Sequence, residues 1–191
     1  MEAQGFFFIR RLQKQYPNKR IQVWFQDESR FGQKGSLYHQ WARRGGAGRI
    51  SVQNGFKCAY LIGAVNPRTG RRVGWLSEKL DTDVMNAFLR DVSTRIDCHS
   101  HAVLVVDRAS WHRSKTLAVP ANITLLHLPP YCPELNPIER LWLYMKRNFL
   151  SGRIFKDLAE VMDAGKKAWQ RLGKNIIRSI CAVYDKWLTL L

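Results

Sequence analysis

Three carboxylates stand where segments of different character meet. Asp27 follows the alternating run at residues 21–26, Asp107 ends the apolar run at 102–106, and Glu139 falls in the first turn of a helix expected to open at Asn136. Cleaving a phosphodiester requires an activated oxygen nucleophile and stabilisation of both entering and leaving oxygens, which hard cations held by carboxylates provide. Oxygen-only ligands select Mg²⁺ or Mn²⁺. Without a cation, clustered carboxylates repel one another and keep their protons to higher pH.

Each acid also has a structural reading. Asp107 could simply terminate a strand. Glu28, next to Asp27, could be the ligand instead, or both could be solvated. Asn136 as N-cap, Pro137 at the first helical position and Glu139 at the third resemble a capping box. On the residues alone, a metal-dependent nuclease site is one hypothesis among these.

The partner is indicated by charge. The 191 residues hold 31 Lys and Arg against 15 Asp and Glu, a formal net charge of +16. So large an excess in a short chain points to a polyanion, with nucleic acid the default. Aromatic and hydrophobic contents of 12% and 46% are those of a packed globule, so the charge decorates a fold and is not a disordered tail. Arg43, Arg44, Arg49, Lys146, Arg147 and Arg153 are candidates for phosphate contacts, against the alternative of a solvated basic face. Such contacts carry affinity and salt dependence, not sequence choice.

Cys58, Cys98, Cys132 and Cys181 are far apart and form no Cys-x-x-Cys pair. His99 and His101 follow Cys98, but with no second cluster they read as a surface loop. The apolar run at residues 5–9 is too short for a signal peptide or a membrane span, so a cytoplasmic, nucleoid-associated protein without a membrane partner is expected.

The elements that must position the acids follow from periodicity. Residues 1–20 read as a leading helix. Residues 21–26 form a strand ending in acids, and 57–65 and 72–76 form a hairpin around the turn Asn66-Pro67-Arg68-Thr69-Gly70. Residues 81–96 have helical spacing with Asp81 or Thr82 as cap. The runs 102–106 and 123–128 read as strands buried on both faces, joined through a short helix at 110–119. Further helices are expected at 136–149, 156–172 and 174–190. Trp142, Trp169 and Trp187 fall among apolar residues and read as core, not as site residues. The expectation is one mixed α/β domain over residues 1–191, with a helical C-terminal extension from about 155.

Three segments, WFQDESRFG (24–32), VVDRASWH (105–112) and LPPYCPELNPIERLW (128–142), resemble the catalytic blocks of bacterial insertion-sequence transposases of the mariner superfamily. With Trp41 before a basic glycine-containing loop, the resemblance covers residues 20–165. It implies a ribonuclease-H-like fold, its first three strands antiparallel and the rest parallel. It also implies an Asp, Asp, Glu triad at Asp27, Asp107 and Glu139, with Glu134 matching a non-catalytic acid. The implied activity is a two-step phosphoryl transfer with two Mg²⁺ or Mn²⁺ ions, in which water cuts DNA at the element's ends and the freed 3′-hydroxyl attacks target DNA. Family members usually insert at TA dinucleotides and act as dimers or larger assemblies on paired ends.

The chain departs from the family pattern in three places. Arg108 stands where the family commonly has Asn, adding positive charge that could weaken metal binding or contact phosphate. The 31 residues between Asp107 and Glu139 are slightly fewer than in relatives, trimming the loop at 114–120. No helix-turn-helix region for reading terminal repeats is recognisable, so the chain reads as the catalytic half, either a separate reading frame or a fragment, and a separate N-terminal recognition chain is one candidate partner. His112 matches a family His that could touch phosphate or cap the following helix. Two rival readings are a nuclease or resolvase of the same fold that cuts without joining, and an inactive DNA-binding remnant.

Overall fold

The strand that carries Asp27 does not stop at the acids. In the computed structural model, which describes residues 2–33 and 55–182, β1 runs from Arg20 to Gly32. Asp and Glu are poor strand formers, but here pairing overrides propensity. β2 (Cys58–Asn66) pairs antiparallel with β1, from Phe25 opposite Val65 to Gly32 opposite Cys58, and keeps Asp27 in the ladder opposite Gly63. β3 (Arg71–Ser77) completes the hairpin, whose turn is closed by Asn66 Oδ1 accepting from the Thr69 N–H at 3.0 Å. Gly70 supplies the left-handed φ of 69° that this turn requires.

On the other side of β1, β4 (Ser100–Val106) and β5 (Ile123–His127) join in parallel, giving the order β3-β2-β1-β4-β5. The mixed sheet is therefore as expected, antiparallel through three strands and then parallel. Side-chain alternation divides the core in two. Val23, Phe25, Val103 and Val105 face α1 (Glu2–Gln15), α3 (Ile138–Met145), α4 (Leu158–Gln170) and α5 (Lys174–Cys181). Trp24, Leu104 and Val106 face α2 (Thr82–Thr94), which contributes Met85, Phe88, Leu89 and Val92. β4 is buried on both faces, hence its continuous apolar run. Asp81 caps α2 and Asp157 caps α4, each accepting a backbone N–H at 2.9 Å.

Several expectations shift. Residues 110–119 form only a 3-10 turn at Ser110–Arg113. Beyond it, Ser114 Oγ and Thr116 Oγ1 meet at 2.9 Å, and Asn86 of α2 takes the Ala118 N–H at 2.7 Å, so side chains satisfy what a helix would have. His101 is no surface loop residue: it lies buried in β4, its Nε2 2.8 Å from Thr124 Oγ1 and its ring stacked on Tyr16. The expected last helix is seen through Cys181, and the rest of it, including Trp187, lies outside the described residues. No helix among the described residues is long and apolar enough to cross a membrane.

Candidate active site

β4 leaves the ladder before β1 does. Their register ends at Phe25 opposite Val105, so β1 continues alone on that side, and Asp27 lies two residues past the junction. In open sheets of this kind, ligands gather beyond the carboxyl ends of parallel strands, where connections diverge to opposite sides. A cavity of about 380 Å³ occupies this place, lined by Asp27, Asp107 and Glu139 together with Arg108 and Tyr131.

The third block holds α3 against β1 from both sides of Glu139. Asn136 Nδ2 donates to the Gln26 carbonyl at 2.9 Å, satisfying a group that β4 no longer reaches. Trp142 Nε1 donates to Asp27 Oδ2 at 2.8 Å. At positions 136, 139 and 142, one step of three apart, these side chains lie along one side of the helix. The capping box is not formed: Pro137 is the N-cap and makes no side-chain cap bond. Asn136 is turned to β1 instead, keeping only a long 3.4 Å contact from the Ile138 N–H to its Oδ1. The sequence predicts Trp142 as a core residue. It is core, yet it also touches Asp27, a contact whose only sequence signal was its spacing from Glu139.

Space for that indole comes from glycine. Gly63, opposite Asp27 in β2, and Gly74, opposite Gly63 in β3, leave a slot across two strands. A Cβ on Gly63 would come within 2.6 Å of Trp142 and 2.9 Å of Trp169, and one on Gly74 would run into the Trp169 indole. The two rings pack with centroids 5.5 Å apart.

Electrostatically the cavity disfavours an anion at Asp27. Burial, then the nearby carboxylates of Glu139 and Glu28, push Asp27 up to about 8, against the hydrogen bonds from Trp142 and the Glu28 backbone N–H. Glu139 is exposed at the rim. Asp107 follows the last residue of β4, is half exposed and accepts the Ala109 N–H at 2.8 Å. Among the described residues, no three His, Cys, Asp or Glu side chains are already drawn into a cage for a metal. The donor set nevertheless fits a hard divalent cation: three carboxylates on one cavity, the deepest destabilised as an anion by burial and by its neighbours.

Glu28 points to the opposite face of the sheet, as adjacent strand residues must. Its Oε1 accepts from Gln26 Nε2 at 2.9 Å and Trp111 Nε1 at 3.1 Å, and His112 Nε2 lies 3.1 Å away. Glu28 does not line the acidic cavity, so Asp27 is the acid of the pair that does. His112 is buried beneath the 3-10 turn, with no helix after it to cap. Arg108 lines the acidic cavity and ties β4 to β5, donating from Nε to the Leu128 carbonyl at 2.9 Å. Lys146 and Arg147 lie on a π-helical turn (Lys146–Leu150) that extends α3. Arg43, Arg44, Arg49 and Trp41 lie outside the described residues.

The chain is similar to known proteins in family and in fold. The profile of the DDE superfamily endonucleases matches residues 22–162. An uncharacterized protein of Sinorhizobium fredii is 45% identical over 114 residues, covering 60% of this chain and 84% of that protein. The Mos1 mariner paired end complex with Mn superposes with a TM-score of 0.67 at 12% identity, covering 96% of this chain and 59% of the other. The Mos1 strand transfer complex gives 0.64 at 13% identity, covering 99% and 58%. This chain thus spans about three-fifths of the length of those solved chains and shares their ribonuclease-H-like fold. The match to the family profile covers most of the sequence and all three acids, and the chain belongs to the DDE superfamily endonucleases.

Proposed function

We propose that residues 1–191 form a single catalytic domain of a DNA transposase, which cuts DNA at the ends of a mobile element and joins the freed 3′-hydroxyl to target DNA. The observation that carries this reading is the convergence of Asp27, Asp107 and Glu139, from three separate elements, on one cavity. The structures it resembles include an end complex with Mn and a strand transfer complex, supporting both the metal and the joining step. Two divalent cations, Mg²⁺ or Mn²⁺, held by these acids would supply an activated attacking oxygen and neutralise charge on the leaving one.

The chain's own residues do the rest. Trp142 fixes the Asp27 carboxylate, and Asn136 fixes the start of α3 so that Glu139 faces it. Asp107, at the exposed mouth, can adjust as a phosphate arrives. Arg108 presents a guanidinium to that phosphate while its Nε is anchored on Leu128. The partners are double-stranded DNA of element ends and target, handled as a dimer on paired ends, with terminal-repeat recognition supplied by another segment or chain.

Strand cleavage and joining on short duplexes, with Mg²⁺, Mn²⁺ or chelator, tests this reading. Metal-dependent cutting and joining should vanish in Asp107→Asn while folding and salt-sensitive DNA binding persist. Cleavage retained in that variant would remove the triad assignment, and cutting without joining would favour a nuclease of the same fold.

A further inference from the structure

A second cavity, of about 490 Å³, lies between the far ends of β1 and β2 and the chain leaving α3. Arg30, Lys57, Lys146 and Arg153 line it, and none of its lining residues is Asp or Glu. Four cations around one hollow repel one another unless an anion joins them. Phe56, at the rim, is 90% exposed, an unusual position for so large an apolar ring.

The walls are held in place. Buried Gln33 donates from Nε2 to the carbonyls of Phe155 and Lys156 at 3.0 and 3.1 Å, and from its backbone N–H to the Lys57 carbonyl at 3.0 Å. Gly32 is required where these segments meet, since a Cβ there would strike the Lys57 carbonyl and Cys58. Ser151 closes the π-helical turn, its Oγ donating to the Lys146 carbonyl at 2.7 Å. The backbone that carries the cations is thus held before a ligand arrives, which limits the freedom lost on binding it.

The cavity also lies along the path from the acids. Lys146 follows Glu139 by two helical turns on the same side of α3, roughly 10 Å along the axis at ~1.5 Å per residue. That is about three nucleotide steps at ~3.4 Å axial rise per nucleotide. We propose that this cavity grips the phosphodiester backbone of the DNA strand about three nucleotides from the scissile position, with Phe56 stacking on an unpaired base. Arginine and lysine supply the phosphate contacts and the exposed ring the stacking surface, a pairing suited to single-stranded nucleic acid. The inference rests on the proposed action on DNA, but it is read through binding alone.

The test measures anisotropy of labelled duplex and single-stranded oligonucleotides with the full chain in chelator, across salt concentrations. Removing two cations in Lys57→Gln/Arg153→Gln should flatten the slope of log affinity against log salt by about two. Arg90→Gln, on α2 across the sheet, should leave the slope unchanged, as should the charge-conserving pair Lys57→Arg/Arg153→Lys. Phe56→Ala should weaken single-strand binding several-fold more than duplex binding. An unchanged slope in the correctly folded double variant overturns the proposal. So does calorimetric binding of inorganic phosphate that the double variant loses while its DNA slope stays, which would make the cavity a free-anion site. Failure of the unmodified chain to bind DNA overturns it together with the proposed function. A flattened slope in a chain that cuts no DNA upholds the cavity and removes only the catalytic reading.

Discussion

The ring of His112 meets the carboxylate of Glu28 inside the protein, Nε2 to Oε1 at 3.1 Å, while its Nδ1 faces Asp107 Oδ1 at 3.7 Å. Burial pulls His112 down to about 4, against the pull of Asp107, so the ring is neutral near pH 7 and the contact is a hydrogen bond, not an ion pair. Burial likewise pushes Glu28 up to about 7. Through this pair, a side chain on the far face of β1 holds the ring that lies beside Asp107, at a separation too long for a hydrogen bond.

Glu28→Ala should therefore lower stability by roughly 2 kcal/mol, since it strands buried donors on Gln26 and Trp111. It should also slow cleavage by freeing the His112 ring beside Asp107, whereas Glu28→Gln should retain most of the fold. Urea denaturation measures the first effect and single-turnover cleavage the second. An alanine variant as stable and active as the parent would show that the pair carries neither load.

Stability should depend on pH in an unusual direction. Asp27 and Glu28 both hold protons more tightly folded than unfolded, raised from their ordinary values of 3.8 and 4.5 to about 8 and 7. His112, held down to about 4 from 6.5, offsets one of these two protons below about pH 6.5, but the folded state still binds more protons between about pH 4 and 8, and stability falls as pH rises through that window. Metal-free protein should melt a few degrees lower at pH 8 than at pH 5, given that ~1 kcal/mol moves the midpoint by roughly 2–4 °C in a domain of this size. Mg²⁺ or Mn²⁺ should recover more of the loss at pH 8 than at pH 6, and Asp27→Asn should flatten the trend. Calorimetric scans with and without metal would show it, and a midpoint that rises with pH would contradict it.

Trp142→Phe removes the hydrogen bond that partly offsets the upward shift of Asp27. The acid should then hold its proton to still higher pH, moving the alkaline rise of cleavage upward while the ring's packing largely remains. A rate profile against pH for the two proteins decides it.

A methyl group at residue 63 would collide with both Trp142 and Trp169. Gly63→Ala should cost on the order of 1–3 kcal/mol by overpacking and should reduce cleavage by displacing the indole from Asp27. Chemical denaturation would measure the cost; full activity in a destabilised variant would uncouple the slot from the site.

Tyr131 adopts a left-handed φ of 59° while 98% exposed at the acidic cavity. Glycine tolerates that backbone better, so Tyr131→Gly should be neutral or stabilising by up to about 1 kcal/mol. If the side chain serves DNA contact, strand cleavage should nevertheless fall; undiminished cleavage would assign Tyr131 no part in it.

The sheet could be read from sequence because alternation and buried apolar runs are local, and both hairpin and parallel strands appeared close to their expected limits. The three acids were named because the third block carries a dense local pattern. What sequence could not carry was tertiary. β1 runs on past Asp27 because β2 pairs with it, the helix expected at 110–119 yields to side chains of α2, and Asn136 abandons its cap for the Gln26 carbonyl. Glu28 is an alternative to Asp27 on the residues alone, and strand parity places it on the other face.

The single hydrogen bond from Asn136 to Gln26 has a consequence beyond catalysis. Where β4 ends, β1 would otherwise present an open ladder edge, the kind of surface that recruits foreign strands. Asn136 plugs its first carbonyl. A chain without that side chain would betray itself by clumping during storage, before any DNA was added, and a poor yield of Asn136→Ala would be a symptom of an unguarded sheet margin.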